Sequence, residues 1–236
     1  MKTLNQEIKE SLLRQGAALV GFADLSDLPS DIRDGYRYGI SIAVELNPKI
    51  VKIIGNGPSM EYSDEYDRVN KLLNQLGESC AELLKTKGFE GLAKTQSVVV
   101  QDAKTQTSKL PHKTVATKAG LGWIGKCALL ITEEYGPAIR ITSVLTDADL
   151  DIGTPITVSK CGKCEKCKNI CPAGAISGIE WKAGLYRDDF IKALDCDKML
   201  KERGKVIGGR HGSCGLCIWV CPWTQKHLKK SLGPLF

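Results

Sequence analysis

Two stretches decide how this chain reads: "CGKCEKCKNICP" at 161–172 and "CGLCIWVCP" at 214–222. The first has the form C-x2-C-x2-C-x3-C-P. The second keeps only C-x2-C-x3-C-P. A cubane [4Fe-4S] cluster presents four irons, each taking one thiolate. A C-x2-C-x2-C loop wraps three corners, and the cysteine after the x3 gap ligates the other cluster of a pair. Proline then stiffens the chain as it leaves. The spacing therefore puts Cys161, Cys164 and Cys167 on cluster one and sends Cys171 to cluster two. By symmetry Cys221 returns to cluster one. Cluster two holds Cys171, Cys214 and Cys217 and is one thiolate short. Cys80, Cys127 and Cys196 remain, and Cys196, between the two runs, is nearest and is read as the fourth ligand. Paired CxxC motifs also make zinc sites. Eight thiolates would then need two complete structural zincs, and the x2, x2, x3 spacing ending in C-P is a cluster pattern.

Outward from the cysteines the chain is ordinary. It has 236 residues, 42% hydrophobic and 25% charged, with a net charge of +6. That length buries a real core. The mild basicity fits a nucleic-acid or acidic-protein partner, and many soluble enzymes share it. No apolar run approaches the about 20 residues of a membrane span. "MKTLNQEIKESLLRQG" has no long apolar stretch or small-residue cleavage site, so no signal peptide and a cytoplasmic location are expected. In that compartment, cysteines clustered at short spacings indicate metal rather than disulfides.

Residues 4–16 read as an amphipathic helix, and "AALVGFADL" (17–25) and "GISIAVEL" (39–46) as strands. "NPKIVKIIGNGPSM" reads as loop, with Asn-Gly-Pro marking a turn. A helix is expected over 62–87. Val69, Leu72, Leu73, Leu76, Cys80, Leu83 and Leu84 line one face, Ser63 starts it and Gly88 stops it. Cys80 is then a small buried hydrophobe. "SVVVQD" (97–102) reads as a strand and 110–119 as a helix. "CALLIT" and "IRITSVLT" read as two strands joined by a turn at 135–137. Cys127 is either a core position opening "CALLIT" or a reactive thiol. The whole is α+β: an α/β domain over 1–155, then a small ferredoxin-like double [4Fe-4S] domain over 156–236.

"AGLGWIGK" at 119–126 carries Gly120, Gly122 and Gly125. It follows a helix rather than a strand and lacks Ser or Thr after Gly-Lys, so it is neither a dinucleotide fingerprint nor a Walker motif. The glycines let the backbone turn sharply past something bulky. Trp123 either stacks on a flat ligand or packs.

"ATKAGLGWIGKCALLIT", the two cysteine runs, the lone Cys196 and "IGGRHGSCGLC" with "VCPW" resemble the epoxyqueuosine reductase family and, more distantly, reductive dehalogenases. The likeness is specific from about 110 to 224. It implies a nitroreductase-like first domain holding cobalamin, with Gly120, Gly122, Trp123, Gly125 and Lys126 near it, fed by two [4Fe-4S] clusters. It implies a low-potential donor of ferredoxin or flavodoxin type and a small-molecule or nucleoside substrate, with tRNA as its carrier. No membrane partner is expected. Iron–sulfur potentials span roughly −700 to +450 mV, which reaches the cobalt(I) range. The family's catalytic aspartate matches Asp102, and where the family has Glu-Arg this chain has His112-Lys113. Asp102 and His112 are thus the candidate proton donors. His211 is placed beside cluster two, and His227, with Lys226, Lys229 and Lys230, on a solvated tail. The reading is an iron–sulfur oxidoreductase; the rival is a non-catalytic electron-transfer protein that reduces a partner, such as a corrinoid protein.

Overall fold

The computed structural model describes residues 2–95, 101–102, 104–210 and 214–233. Its helices are α1 (Leu4–Arg14), α2 (Pro48–Ile53), α3 (Met60–Thr86), α4 (His112–Lys118), α5 (Lys166–Ile170), α6 (Ala193–Lys205), α7 (Leu216–Trp219) and α8 (Pro222–Leu232). Its strands are β1 (Leu19–Asp24), β2 (Tyr38–Glu45), β3 (Gly91–Ala93), β4 (Gln101–Asp102), β5 (Thr107–Ser108), β6 (Trp123–Ile124), β7 (Leu130–Ile131) and β8 (Ile139–Thr146). They form two compact units, neither one continuous stretch. The first takes Met1–Glu45, Asn70–Gly122 and Arg140–Thr157; the second takes Leu46–Val69, Trp123–Ile139 and Val158–Phe236. The sequence division at 155 falls beside the last of these boundaries. Segments 46–69 and 123–139 group instead with the C-terminal unit, because the second of them carries a hairpin into the cysteine loops.

In the first unit a four-stranded sheet runs β1-β2-β8-β3. β1 and β2 are antiparallel, with Leu19 opposite Ala43 and Asp24 opposite Tyr38. β2 is buried along all but its last residue, which is why it reads as a continuous apolar run rather than an alternation. α4 packs on β1 and β2. Gly39 permits this: a Cβ there would sit 2.8 Å from Val115 Cγ1. α1 starts with a capping box, Thr3 accepting from the Gln6 amide, and turns Ile8 and Leu12 inward.

Several expectations are corrected. α3 starts at Met60, with Ser59 Oγ accepting from the Tyr62 amide at 3.2 Å, and Ser63 is fully buried inside it. Gly88, at φ +85°, follows its end. The stretch expected as loop after residue 46 contains α2: Asn47 Oδ1 accepts from Lys49 N at 3.0 Å and Pro48 takes the first turn, where its missing N–H costs nothing. Only Leu130–Ile131 of "CALLIT" is strand, and it pairs with β6, not β8. The expected strand at 97–102 lies largely outside the described residues; its described end, Gln101–Asp102, pairs with Thr107–Ser108. Among the described residues no helix is long and apolar enough to cross a membrane.

Candidate iron–sulfur centre

The site is built within the second unit. α5 carries Cys167 and ends at Cys171; α7 carries Cys217; α6 carries Cys196. α5 packs against α7. Gly215, at φ +76°, opens α7, and a Cβ there would lie 2.9 Å from the Tyr62 ring. Both facts require glycine inside "CGLC". All ten cysteines are free thiols.

The fold brings Cys221 to Cys161 and Cys167, and Cys196 to Cys171 and Cys214. Burial pushes the Cys196 thiol up to about 11, with Cys171 and Cys214 adding to the rise. Burial also takes Cys221 to about 11, although the Trp223 and Thr224 amides donate to its sulfur and oppose the rise. Those amides belong to the first turn of α8, which Cys221 immediately precedes, a position that favours a thiolate. Buried thiols of this kind exchange their protons for iron on metal binding. Among the described residues no three His, Cys, Asp or Glu close around a single metal ion. The two groups, Cys161 with Cys167 and Cys221, and Cys171 with Cys196 and Cys214, suit the corners of two cubanes. Two buried donors, Trp123 Nε1 and Thr224 Oγ1, have no partner among the described residues, and cluster sulfur is an acceptor they can use. The residues fit the group.

Cys127 lies outside both runs, yet its buried thiol comes within hydrogen-bonding reach of Cys167 and Cys217. Contact with Cys167 favours its thiolate, while contact with Cys217 and burial outweigh this and hold it well above the usual thiol range. Cys167 is raised in turn, first by its bond to Cys127 and then by burial. Spacing could not reveal this neighbour; the one signal was its place directly after Gly125-Lys126. Cys80 is fully buried on α3, and burial takes its thiol to about 12.

The residues assigned to cobalamin have internal partners. Gly120, at φ +74°, leaves room for Thr154 O, 2.6 Å from where a Cβ would sit, and a Cβ on Gly125 would meet Ile131 Cδ1 at 2.2 Å. Gly122 is buried. Trp123 is fully buried, edge-on to Trp223 at 5.2 Å. Lys126, 5% exposed, donates to Gly162 O at 2.7 Å.

Asp102 is exposed, its Oδ1 accepting from the Lys104 amide at 2.7 Å and the Thr105 amide at 3.2 Å. His112 begins α4, with Nδ1 3.1 Å from Ser143 Oγ. Burial, helped by the nearby charges of Lys94 and Arg140, lowers its imidazole to about 4. His227 is not solvated: it is buried on α8, edge-on to Tyr135 at 5.1 Å, because the inward face of α8 takes Thr224, His227 and Leu228. Lys226 lies 5.6 Å over the Trp223 ring. His211 lies outside the described residues.

Residues 160–224 match the 4Fe-4S double cluster binding domain, so the class of this unit is a carrier of two [4Fe-4S] clusters. Over more of its length the chain is similar to epoxyqueuosine reductases. The enzyme of Aliivibrio fischeri is 26% identical over 188 residues, covering 72% of this chain and 45% of the relative. The chain spans less than half the length of the curated relatives it matches. The solved epoxyqueuosine reductase of Streptococcus thermophilus matches with a TM-score of 0.62 at 21% identity, covering 95% of this chain and 67% of that one. The catabolic reductive dehalogenase NpRdhA matches with a TM-score of 0.71 at 18% identity, covering 92% and 31%. These likenesses establish the mixed α+β fold.

Proposed function

We propose that the protein is an iron–sulfur oxidoreductase of the epoxyqueuosine reductase type. It takes electrons from a low-potential donor of ferredoxin or flavodoxin type and delivers them to a cobalamin or substrate held by its first unit. The observation that carries the reading is the gathering, within one unit, of Cys221 with Cys161 and Cys167, and of Cys196 with Cys171 and Cys214. When bound, the two [4Fe-4S] clusters supply one-electron centres. The chain's part is to hold and bias them. Cys161, Cys164, Cys167 and Cys221 hold one, and Cys171, Cys196, Cys214 and Cys217 the other. The first turn of α8 steadies the Cys221 sulfur, and Lys126 braces the first loop.

The substrate class follows the relatives. One structurally similar epoxyqueuosine reductase is solved with an epoxyqueuosine-modified tRNA-Tyr stem loop, which supports a nucleoside substrate. One similar reductive dehalogenase is described in terms of B12-dependent dehalogenation, which supports cobalamin. Asp102 and His112 are the candidate proton donors. With its imidazole at about 4, His112 is neutral at pH 7 and serves there as a hydrogen-bonding group; Asp102 is the first of the two to test. If Asp102→Asn leaves turnover unchanged, it is removed.

The internal partners of Gly120, Gly125, Trp123 and Lys126 favour a second reading, an electron-transfer protein that reduces a partner. Anaerobic reconstitution separates the two. Brown protein with about eight irons supports the clusters; colourless protein holding zinc overturns them. Hydroxocobalamin is then added. A base-off cobalt(II) EPR signal supports the oxidoreductase, and no corrinoid binding leaves the electron carrier.

A further inference from the structure

Residues 158–182 hold five lysines and two glutamates, so this stretch supplies half of the chain's net charge of +6. The chain folds back on itself here. Val158 bridges to Lys182, Ser159 N donates to Trp181 O at 2.9 Å, and Gly162 N donates to Glu180 Oε1 at 2.5 Å. Gly178, at φ +93°, turns against α5, where a Cβ on it would lie 3.0 Å from Lys168 Cδ. The first cysteine loop, α5 and residues 178–182 therefore form one surface. Its tip is Gly162, at φ +54°. Glu180 holds the Gly162 amide and Lys126 Nζ holds its carbonyl at 2.7 Å. A Cβ there would meet nothing within 4 Å, so the tip is fixed from within and open outward.

The carboxylates of this surface are engaged and several of its lysines are not. Glu165 pairs with Lys168 at 3.0 Å, Glu133 reaches in to Lys160 at 2.5 Å, and Glu180 accepts from the Gly162 amide. Lys163, Lys166 and Lys182 are exposed and pair with no carboxylate among the described residues. On the same segments Val158 is 58% and Ile179 49% exposed. Unpaired lysines beside exposed apolar side chains suit a transient partner of opposite charge, and redox encounters are of this small, charge-steered kind. A nucleic acid is the other polyanion such charge attracts. It is disfavoured because none of the three cations is an arginine and the one aromatic side chain of the stretch, Trp181, is buried, which leaves no base-stacking platform there. We propose that this lysine-rimmed surface docks an acidic, low-potential electron-transfer protein, seated over the first cysteine loop so that electrons enter at the cluster this loop holds. The inference rests on the two-cluster reading and gives its electron donor a place to bind. In each encounter the donor is oxidised by one electron and the cluster is reduced by one.

The probe is a flavodoxin in its hydroquinone state, mixed anaerobically by stopped flow with the iron-loaded chain at low and at high salt. Lys163→Glu with Lys166→Glu is compared with Lys229→Glu and Lys230→Glu, which make the same change of net charge at exposed positions of α8. Photoreduced deazaflavin, a small reductant that needs no docking surface, is the reference, and iron is counted in every sample. The rate with flavodoxin is expected to fall as salt rises. At low salt it should drop about tenfold in the first-loop pair and less than about twofold in the α8 pair, with deazaflavin reducing all three alike. A flavodoxin rate insensitive to salt, or equal losses in the two pairs, overturns the proposal. So does an RNA stem loop whose binding, read by fluorescence anisotropy, is lost in the first-loop pair while the flavodoxin rate is kept. Should the glutamate pair lose iron, Lys163→Gln with Lys166→Gln removes the charge without reversing it; a smaller fall in rate is expected, and no fall overturns the proposal. An unmodified chain that holds no iron defeats the two-cluster reading and the proposal with it, whereas a loaded chain that deazaflavin reduces and flavodoxin does not defeats the docking surface alone.

Discussion

Lys126 Nζ donates to Gly162 O across 2.7 Å, joining the β6–β7 hairpin to the turn between Cys161 and Cys164. The side chain is buried, and a buried ammonium persists only beside compensating negative charge or acceptors. The Glu165 carboxylate interacts with it, and a cluster held by the first cysteine loop would add negative charge. Lys126→Met keeps the length of the stem and removes both the charge and the donor. The expected outcome is a more negative midpoint for cluster one and faster bleaching in air. EPR-monitored titration and absorbance decay measure the two. A midpoint equal to the original would make Lys126 a packing residue only.

Cys196 reaches Cys171 and Cys214 from α6. Cys196→Ala is therefore expected to lower bound iron from about eight to about four while leaving one cluster. Cys80→Ala is the control: that thiol is buried on α3, remote in sequence from either run, and its loss should leave the iron count alone. Iron analysis and the spin count of the reduced protein check both. Equal iron contents in the two variants would displace Cys196 from the ligand set.

The sequence made the elements with strong periodicity plain. α3 showed through Val69, Leu73, Leu76, Cys80 and Leu84, all buried, because helical repetition is local information. The cysteine sets were readable for a different reason: the spacing of a cluster loop is fixed by the cluster. What spacing could not convey was tertiary. Cys127 is 34 residues from Cys161 by number, and only folding the hairpin tip shows which sulfurs it meets. α2 was hidden because its Asn47-Pro48 start sits before an Asn-Gly-Pro turn, and the louder signal masked the quieter one. His227 looked solvated because its neighbours Lys226, Lys229 and Lys230 are charged, whereas an amphipathic helix hides one face among such residues.

Glu65 is 6% exposed and serves two partners. Its Oε1 accepts from the Asn47 amide at 2.7 Å, and Arg68 donates to both of its oxygens, each at 2.7 Å. Glu65→Ala strands the Asn47 amide at the start of α2. The expected loss is about 1–3 kcal/mol of stability, read as a lower urea midpoint with the slope unchanged. Glu65→Gln, which keeps an acceptor, should lose less.

Gly55 faces Trp219 so closely that a Cβ would lie 2.6 Å from Cε2 and Cζ2 of the indole. Trp219 ends α7, two residues after Cys217. Gly55→Ala must push this ring, and the cost of overpacking is typically about 1–3 kcal/mol. The displacement falls on the helix that carries a ligand of cluster two. The expected outcome is a variant that folds but loses iron faster to a chelator than the original. Identical release kinetics would show that the ring moves without disturbing α7.

His112 predicts a pH dependence with a definite sign. Its imidazole is lowered from 6.5 to about 4, first by burial and then by Lys94 and Arg140. Between those values the unfolded chain binds a proton that the folded chain does not, so acid favours unfolding. The contribution is fully present above about 6.5 and is lost progressively as pH falls toward 4. The group is only partly buried, so its full span is at most about 3 kcal/mol. Urea unfolding at pH 7.5 and at pH 5 should show the original losing more stability on acidification than His112→Asn, which keeps a polar partner for Ser143 but does not titrate. Cluster loss at acid pH affects both proteins alike and cancels in the comparison. Parallel declines in the two would assign the acid sensitivity to other groups.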